Sequence, residues 1–165
     1  MHQQQIDSVD LDSLQRIAGD LVGKLPNFAV IALTGTLGAG KTRLVQAIAS
    51  ELMIDASSVT SPTYTLMQTH HGFRQDDQRR QAVELCHVDA YRIADEDEWF
   101  DAGVQEQIDA PVRAGDHLGD DSTCNWICVE WADRFAELIP DDAIWINIAL
   151  DASELRRITL RGICL

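Results

Sequence analysis

The chain lacks any long apolar segment and shows no secretion signal at its start. No apolar run approaches the roughly 20 residues that a helix needs to cross a bilayer. Residues 1–7 have neither the basic start nor the apolar centre of a signal peptide. We therefore expect a cytoplasmic protein, and neither a membrane protein nor a secreted one.

Cysteine is scarce, and its spacing predicts no metal or redox site. The four cysteines, Cys86, Cys124, Cys128 and Cys164, match no zinc or redox signature. In a cytosolic chain we expect them to be reduced thiols packed in the core. A metal held by Cys86, His87, Cys124 and Cys128 is the alternative, but no second close pair of ligands supports it.

Basic residues are few. Lysine and arginine number 13 against 27 aspartates and glutamates, which gives a net charge of −14. Such a surface repels nucleic-acid backbones and anionic lipids, so we expect no independent binding to either. Acidic residues cluster at 95–98, 120–121 and 141–142. These clusters are either solvated helix starts and turns or a docking face for a basic partner.

The most informative segment that is present is a phosphate-binding loop. Residues 35–42, Gly-Thr-Leu-Gly-Ala-Gly-Lys-Thr, match the pattern Gly-x4-Gly-Lys-Thr. The apolar run 28–33 before this loop predicts a buried strand, and the helical spacing of apolar residues after it predicts a helix. A chance glycine-rich turn is the alternative, but the full pattern between a strand and a helix favours a phosphate site.

Each part of this loop has a chemical role toward a nucleotide. Glycines let backbone N–H groups surround a phosphate without Cβ clashes, and the helix start adds its positive dipole end. Lys41 would reach the β- and γ-phosphates, and the Thr42 hydroxyl suits Mg2+. The predicted nucleotide-binding residues of the loop are Gly35, Leu37, Gly38, Ala39, Gly40, Lys41 and Thr42.

The rest of the chain alternates strands and helices. Helices are predicted over 11–25, 41–54, 95–103 and 132–139. Strands are predicted over 28–33, 64–69, 82–89, 126–129, 143–150 and 156–163. Loops are predicted over 70–81, as a long and mobile hairpin tip, and over 110–122.

This alternation predicts an α/β fold. We expect a single P-loop NTPase-like three-layer sandwich, with a mixed, mostly parallel central sheet and antiparallel hairpins. The first helix would be capped by Asp10 or Asp12. One domain would span residues 1–165.

Two acidic residues are candidates for handling a metal and water. Asp89 and Glu130 each end an apolar strand, where an acid associated with Mg2+ would stand in a P-loop enzyme. For each, the alternative is an acid at the exposed rim of a strand. Thr63 or Thr65 could sense the γ-phosphate as a switch threonine does, with Pro62 stiffening the loop, or the segment could simply enter a strand.

Four segments in order resemble one family. They are Gly-Thr-Leu-Gly-Ala-Gly-Lys-Thr at 35–42, Ser-Pro-Thr-Tyr-Thr at 61–65, His-Val-Asp-Ala-Tyr-Arg at 87–92 and Val-Glu-Trp at 129–131. Together they resemble the TsaE (YjeE) family of small bacterial P-loop ATPases, over residues 11–163. That family acts in forming N6-threonylcarbamoyladenosine at position 37 of tRNAs that read codons beginning with A.

The resemblance implies a cofactor and a set of roles. ATP would be bound by the loop amides and Lys41, with Thr42 and Glu130 serving Mg2+ directly or through water. Asp89 would support the metal or the attacking water, so that Lys41, Asp89 and Glu130 form the catalytic set. The resemblance also places Trp131 near the nucleotide pocket and the start of the first helix, near Leu11, against the base, while Thr63 stays a candidate nucleotide-binding residue from its own segment.

The same resemblance implies partners. The family works with the carbamoyl-transferring protein TsaD and its paralogue TsaB, where ATP binding and hydrolysis reset the complex between turnovers. The chain departs from the family at Arg43, at Ala132-Asp133 and in its long 70–81 tip. His87 lies on the strand face of Asp89, and we expect it to be structural.

Two other functions remain open from the sequence. A small-molecule P-loop kinase would need an arginine-bearing lid, for which Arg74, Arg79 and Arg80 are the candidate basic cluster. A non-catalytic regulator would bind ATP without turnover. Outside the 70–81 tip and Arg92, no arginine is an evident candidate for completing the site from within the chain.

Overall fold

The central sheet and its surrounding helices account for most of the chain. A computed structural model describes residues 3–61, 66–75, 80–113, 123–151 and 153–165. Within these ranges the strands are β1 (Gln3–Val9), β2 (Phe28–Thr34), β3 (Met67–Gln75), β4 (Arg80–Asp89), β5 (Thr123–Glu130), β6 (Ile144–Leu150) and β7 (Arg156–Arg161). The α-helices are α1 (Leu11–Lys24), α2 (Lys41–Glu51), α3 (Glu96–Asp101) and α4 (Val104–Arg113). Two 3-10 segments cover Ala56–Ser58 and Ala132–Leu138.

The sheet is mixed, with a parallel centre. Its strand order is β1-β7-β6-β2-β5-β4-β3. Strands β6, β2, β5 and β4 run parallel to one another, whereas β3 pairs antiparallel with β4 at one edge and β7 and β1 pair antiparallel beside β6 at the other. Because parallel strands end at the same edge, β2, β5 and β4 deliver Thr34, Glu130 and Asp89 to one end of the sheet.

Helices cover both faces of this sheet. On one face α1 and α2 form a core with buried sheet residues such as Ile31, Leu33 and Leu85. On the other, α3, α4 and the 3-10 helix at 132–138 pack with residues such as Val30 and Val88. The prediction of an α/β three-layer sandwich with a mixed sheet is thus confirmed.

Local sequence accounts for the start and burial of α1. The Asp10 carboxylate accepts a hydrogen bond of 2.8 Å from Ser13 N, so Asp10 rather than Asp12 is the N-cap. The buried residues of α1 recur at intervals of three and four, which places them on the one helix face that packs on the sheet. They are Leu14, Ile17, Ala18, Leu21 and Val22.

The predicted hairpin tip at 70–81 was too long. Strand β3 continues to Gln75, and β4 begins at Arg80, with Gln75 paired to Arg80. Polar residues are tolerated there because β3 is an edge strand whose alternate side chains face solvent. At Gly72 the strand passes so close to α2 that an added Cβ would lie 2.4 Å from Leu52 O.

Three further predictions need correction. Strand β1, an edge strand that pairs with β7, was missed because its sequence is mostly polar. Helix α4 was missed as well, and the predicted loop at 110–122 is helical as far as Arg113, despite Pro111. The predicted helix at 132–139 is a 3-10 helix with non-helical backbone at Phe135.

The cysteine prediction holds for three of the four residues. Cys86, Cys124 and Cys128 are buried free thiols, but Cys164 is exposed. Burial raises the pKa of Cys86 to about 12 and also raises the pKa of Cys128, which keeps both thiols neutral and unreactive. Separately, none of the helices in the described ranges is both long enough and apolar enough to span a membrane.

Candidate functional site

The phosphate-binding loop joins β2 to α2 and needs glycine at its ends. Gly35 has a φ of 136°, and a Cβ placed there would lie 2.1 Å from Ile148 O in β6. Gly40, which caps α2, has a φ of 113°. Both values favour glycine strongly, and Gly35 also lets the loop pack directly on the neighbouring strand.

The Lys41 side chain is buried against the backbone of the phosphate-binding loop. Its side chain is 4% exposed, and Nζ donates hydrogen bonds of 2.8 Å to Gly35 O and 3.0 Å to Thr36 O. The same nitrogen lies 3.6 Å from the centre of the Trp131 ring, as a cation–π contact. Burial lowers the pKa of Lys41 from its ordinary value, and nearby carboxylates, Glu130 foremost, act against that shift.

Glu130 receives two hydrogen bonds on one oxygen. Thr42 Oγ1 donates to Glu130 Oε1 at 2.7 Å, and His87 Nε2 lies 2.8 Å from the same oxygen. Glu130 is only 3% exposed, so it is not an acid at an exposed strand rim. Thr42 and Glu130, both expected to serve Mg2+, are thus in contact, and the contact with His87 is one that sequence reasoning missed.

Asp89 lies beside Glu130, as its register partner on the adjacent strand. One oxygen of Asp89 accepts a hydrogen bond from Ser61 Oγ, and the other accepts one of 3.1 Å from Tyr91 N. The carboxylate therefore links the loop before residue 62 to the end of β4. The predicted residues Thr63 and Thr65 lie outside the described residues.

Trp131 closes one side of the loop. It follows β5 with a φ of 59°, a left-handed conformation that is unfavourable for a large side chain. Its ring lies 4.9 Å from the Tyr91 ring. Arg134 supports this wall by donating hydrogen bonds to Tyr91 O and, at 2.6 Å, to Ala90 O.

The site residues line two adjoining clefts. One, of about 420 Å³, is lined by Lys41, Thr42, Asp89, Glu130 and Trp131 among others. The second, of about 660 Å³, is lined by Leu11, which is 52% exposed, and shares Gly38 with the first. The structure thus gathers the predicted catalytic residues in one cleft and places Leu11 in the neighbouring one.

Arg156, which sequence reasoning missed, contacts the phosphate-binding loop. From the start of β7 its Nε donates a hydrogen bond of 3.0 Å to Ala39 O. A Cβ added at Gly40 would lie 2.9 Å from the same Nε, so the guanidinium group packs directly on the loop. No sequence signal marks this contact, since Arg156 and Ala39 are 117 residues apart.

The donor set fits Mg2+ only together with oxygens from a bound ligand. Thr42 and the carboxylates Glu130 and Asp89 offer the hard oxygen atoms that Mg2+ prefers. In the described part of the chain, no group of three or more His, Cys, Asp or Glu residues could hold a metal ion. This arrangement suits a cation that is bound mainly through substrate phosphates and water.

Arg74 and Arg80, the described arginines of the β3–β4 hairpin, do not form a lid over this cleft. Arg74 donates a hydrogen bond of 2.6 Å to Leu25 O and another of 2.7 Å to Gln81. Arg80 stacks on the ring of Phe73. Arg79 lies outside the described residues. The described arginines of this cluster therefore brace the hairpin itself.

Comparison with known proteins identifies the family. A family model described as Threonylcarbamoyl adenosine biosynthesis protein TsaE matches residues 8–158. The chain belongs to the TsaE family. The tRNA threonylcarbamoyladenosine biosynthesis protein TsaE of Treponema pallidum is 33% identical over 144 residues, which cover 86% of this chain and 89% of the relative. Its namesake in Mycobacterium leprae is 30% identical, with 82% and 76% covered.

A solved structure supports the same fold. YdiB of Bacillus subtilis superposes with a TM-score of 0.62, covering 96% of this chain and 84% of that protein. At 24% sequence identity this likeness concerns the fold alone. The resemblance inferred from the four TsaE-like segments is thus confirmed by comparison of the sequence.

Proposed function

We propose that this TsaE-family chain is a Mg2+-dependent ATPase that acts on the TsaD–TsaB complex. Its hydrolysis of ATP would support the threonylcarbamoyladenosine modification of tRNA position 37 in the cytoplasm. The observation that carries the proposal is the 2.7 Å hydrogen bond from Thr42 Oγ1 to Glu130 Oε1. It joins the phosphate-binding loop to a buried carboxylate, and nucleotide hydrolysis needs both parts.

Several groups of the chain would contribute to binding the nucleotide phosphates. The amides of the 35–42 loop and the start of α2 would offer N–H groups to a bound phosphate. Lys41 already lies at this loop, and its ammonium group would exchange two backbone carbonyls for phosphate oxygens. Trp131, stacked beside Lys41, excludes water from that contact.

The carboxylates of Glu130 and Asp89 would arrange the cation and the water around the terminal phosphate of ATP. When bound, Mg2+ neutralises charge on the β- and γ-phosphates and fixes their geometry. Glu130, held by Thr42, would orient the cation's water shell. Asp89, its neighbour across the β4–β5 ladder, would orient an attacking water.

The charge of the chain supports action on a protein partner rather than on tRNA directly. A net charge of −14 opposes independent tRNA binding and favours docking against a basic surface near the nucleotide. Arg156 and Arg134, which lie near the loop, bind backbone carbonyls, whereas Arg43 and Arg92 line the cleft itself. A partner's cation would complete the site, so we expect weak hydrolysis by the chain alone.

Reconstituted tRNA modification tests this proposal. TsaD, TsaB, unmodified tRNA and the threonylcarbamoyl donor are combined with and without this chain and ATP. We expect modified tRNA to exceed one equivalent per complex only when both the chain and ATP are present. A multiple-turnover yield that does not depend on the chain would contradict the proposal, and stimulation by ATP binding without hydrolysis would identify a non-catalytic regulator.

A further inference from the structure

His87 is a fully buried side chain whose polar contact leads into the proposed site. It lies in β4 between Gln68 of β3 and Cys128 of β5, which are its register partners. Its exposure is 0%, and Nε2 lies 2.8 Å from Glu130 Oε1. The alternation of β4 places it on the same face as Asp89, two residues further on.

The opposite edge of the ring is unpaired within the described part of the chain. His87 Nδ1 is buried and has no hydrogen-bond partner there. Gln68, directly across the ladder, also has a buried Oε1 without a partner among the described residues. Burying an unpaired imidazole nitrogen lowers stability, whereas an apolar side chain at this position would avoid that penalty. Packing therefore does not explain a histidine here, and its one polar contact is with Glu130.

Two donors approach Glu130 Oε1 from different elements. Thr42 reaches it from the start of α2, and His87 reaches it from β4. Glu130 Oε2 makes no hydrogen bond to the described part of the chain and is available to a cation or its water. A carboxylate fixed at one oxygen by two donors keeps a single orientation of its second oxygen.

We propose that His87 is a positioning residue for Glu130. Its Nε2–H group holds the Glu130 carboxylate in the orientation that binds Mg2+ or its water beside the nucleotide. His87 does so from β4, outside the phosphate-binding loop. This inference rests on the proposed ATPase function of the same cleft.

Matched variants distinguish a positioning role of His87 from a packing role. His87→Leu removes the donor, and His87→Gln keeps an amide donor near the place of Nε2. Cys128→Val is the control, because Cys128 is equally buried and lies directly across the ladder from His87. If His87→Leu does not fold, His87→Asn takes its place, since its shorter side chain withdraws the donor from Glu130.

Hydrolysis is measured against Mg2+ concentration with TsaD and TsaB present. We expect His87→Leu to raise the Mg2+ needed for half-maximal activity, or to lower turnover, by about tenfold or more, as loss of a supporting contact around a metal ligand does. ATP affinity should change less than about twofold, because the loop is intact. His87→Gln should recover most of the loss, and Cys128→Val should match the wild type.

A double-variant cycle and a crystal structure complete the test. In a Glu130→Gln background, His87→Leu should add no further loss, since the two residues act as one unit. An additive loss, or a His87→Leu variant with unchanged Mg2+ dependence and turnover, would overturn the proposal. If the wild type hydrolyses no ATP, the proposed function fails on its own. The crystal structure of His87→Leu then decides, because a Glu130 carboxylate that stays beside Thr42 contradicts positioning and a displaced one supports it.

Discussion

Asp89 and Glu130 are register partners at the ends of two adjacent parallel strands, β4 and β5. Their carboxylates are both buried and each is held by hydrogen bonds, Asp89 from Ser61 and Tyr91 N, Glu130 from Thr42 and His87. Two carboxylates fixed this close to a phosphate-binding loop form an acidic pair beside the place where a nucleotide's terminal phosphate would lie. The predictions below test that arrangement and the loop that it serves.

Removing either carboxylate charge should suppress turnover and spare binding. Glu130→Gln and Asp89→Asn keep the shape of the side chain but lose the charge that orients water and cation. We expect kcat to fall by about 100-fold with ATP affinity within a few-fold of the wild type. Steady-state hydrolysis with partners present, set beside a nucleotide titration, measures both quantities. Glu137→Gln, on the exposed side of the 3-10 helix, is the control, and full activity in both site variants would leave the carboxylate pair without a role.

Lys41→Ala should abolish tight nucleotide binding. The substitution removes the one ammonium group at the loop, which would otherwise face the β- and γ-phosphates. Lys24→Ala is the matched control, since Lys24, the last residue of α1, is exposed and donates a hydrogen bond to Cys164 O. Calorimetric titration with MgATP compares the two. An unchanged dissociation constant for Lys41→Ala would mean that the loop does not bind phosphate.

Two neighbouring arginines should differ in their effect on nucleotide binding. Arg156→Gln loses the hydrogen bond to Ala39 O and loosens the phosphate-binding loop. A hydrogen bond from a charged group is worth about 1.5–3 kcal/mol, so we expect ATP affinity to fall about tenfold. Arg157→Gln breaks only a surface pair with Asp7, at 2.6 Å, and should leave affinity unchanged. Equal effects from the two substitutions would show that Arg156 does not support the loop.

Glycine at position 35 should matter for folding, whereas glycine at position 23 should not. Gly35→Ala forces a Cβ to within 2.1 Å of Ile148 O at a φ of 136°, and we expect a loss of about 2 kcal/mol or more in the free energy of unfolding. Gly23→Ala lies in α1 with nothing within 4 Å and should stabilise the helix by up to about 1 kcal/mol. Chemical denaturation of both variants checks the contrast, which a stable Gly35→Ala protein would contradict.

Structural features that depend on one short segment of the sequence were predictable. The apolar run of β2, the glycine-rich loop and the amphipathic helices α1 and α2 each show their pattern within about 15 residues. Asp89 and Glu130 could each be predicted as acids at strand ends, but their pairing across adjacent strands could not. The edge strands β1 and β3 were harder, because a strand that is exposed on one face and paired on one side can be polar.

Contacts between distant residues were not predictable. His87 lies 43 residues from Glu130, and nothing in the sequence shows that its Nε2 meets that carboxylate. The same is true of Arg156, whose contact with Ala39 depends on β7 pairing beside β6. Such pairings arise only after the sheet order is known, since strand order decides which distant side chains share one end of the sheet.

The proposed function requires that this chain hydrolyse ATP in response to its partners, and a steady-state ATPase assay with and without TsaD and TsaB measures that response. The assay is repeated over a series of salt concentrations. Because the chain carries a net charge of −14, docking should weaken as salt screens it. We predict slow hydrolysis by the chain alone, strong stimulation by the partner pair, and loss of that stimulation at high salt. Fast hydrolysis by the chain alone that neither partners nor salt alter would contradict the account.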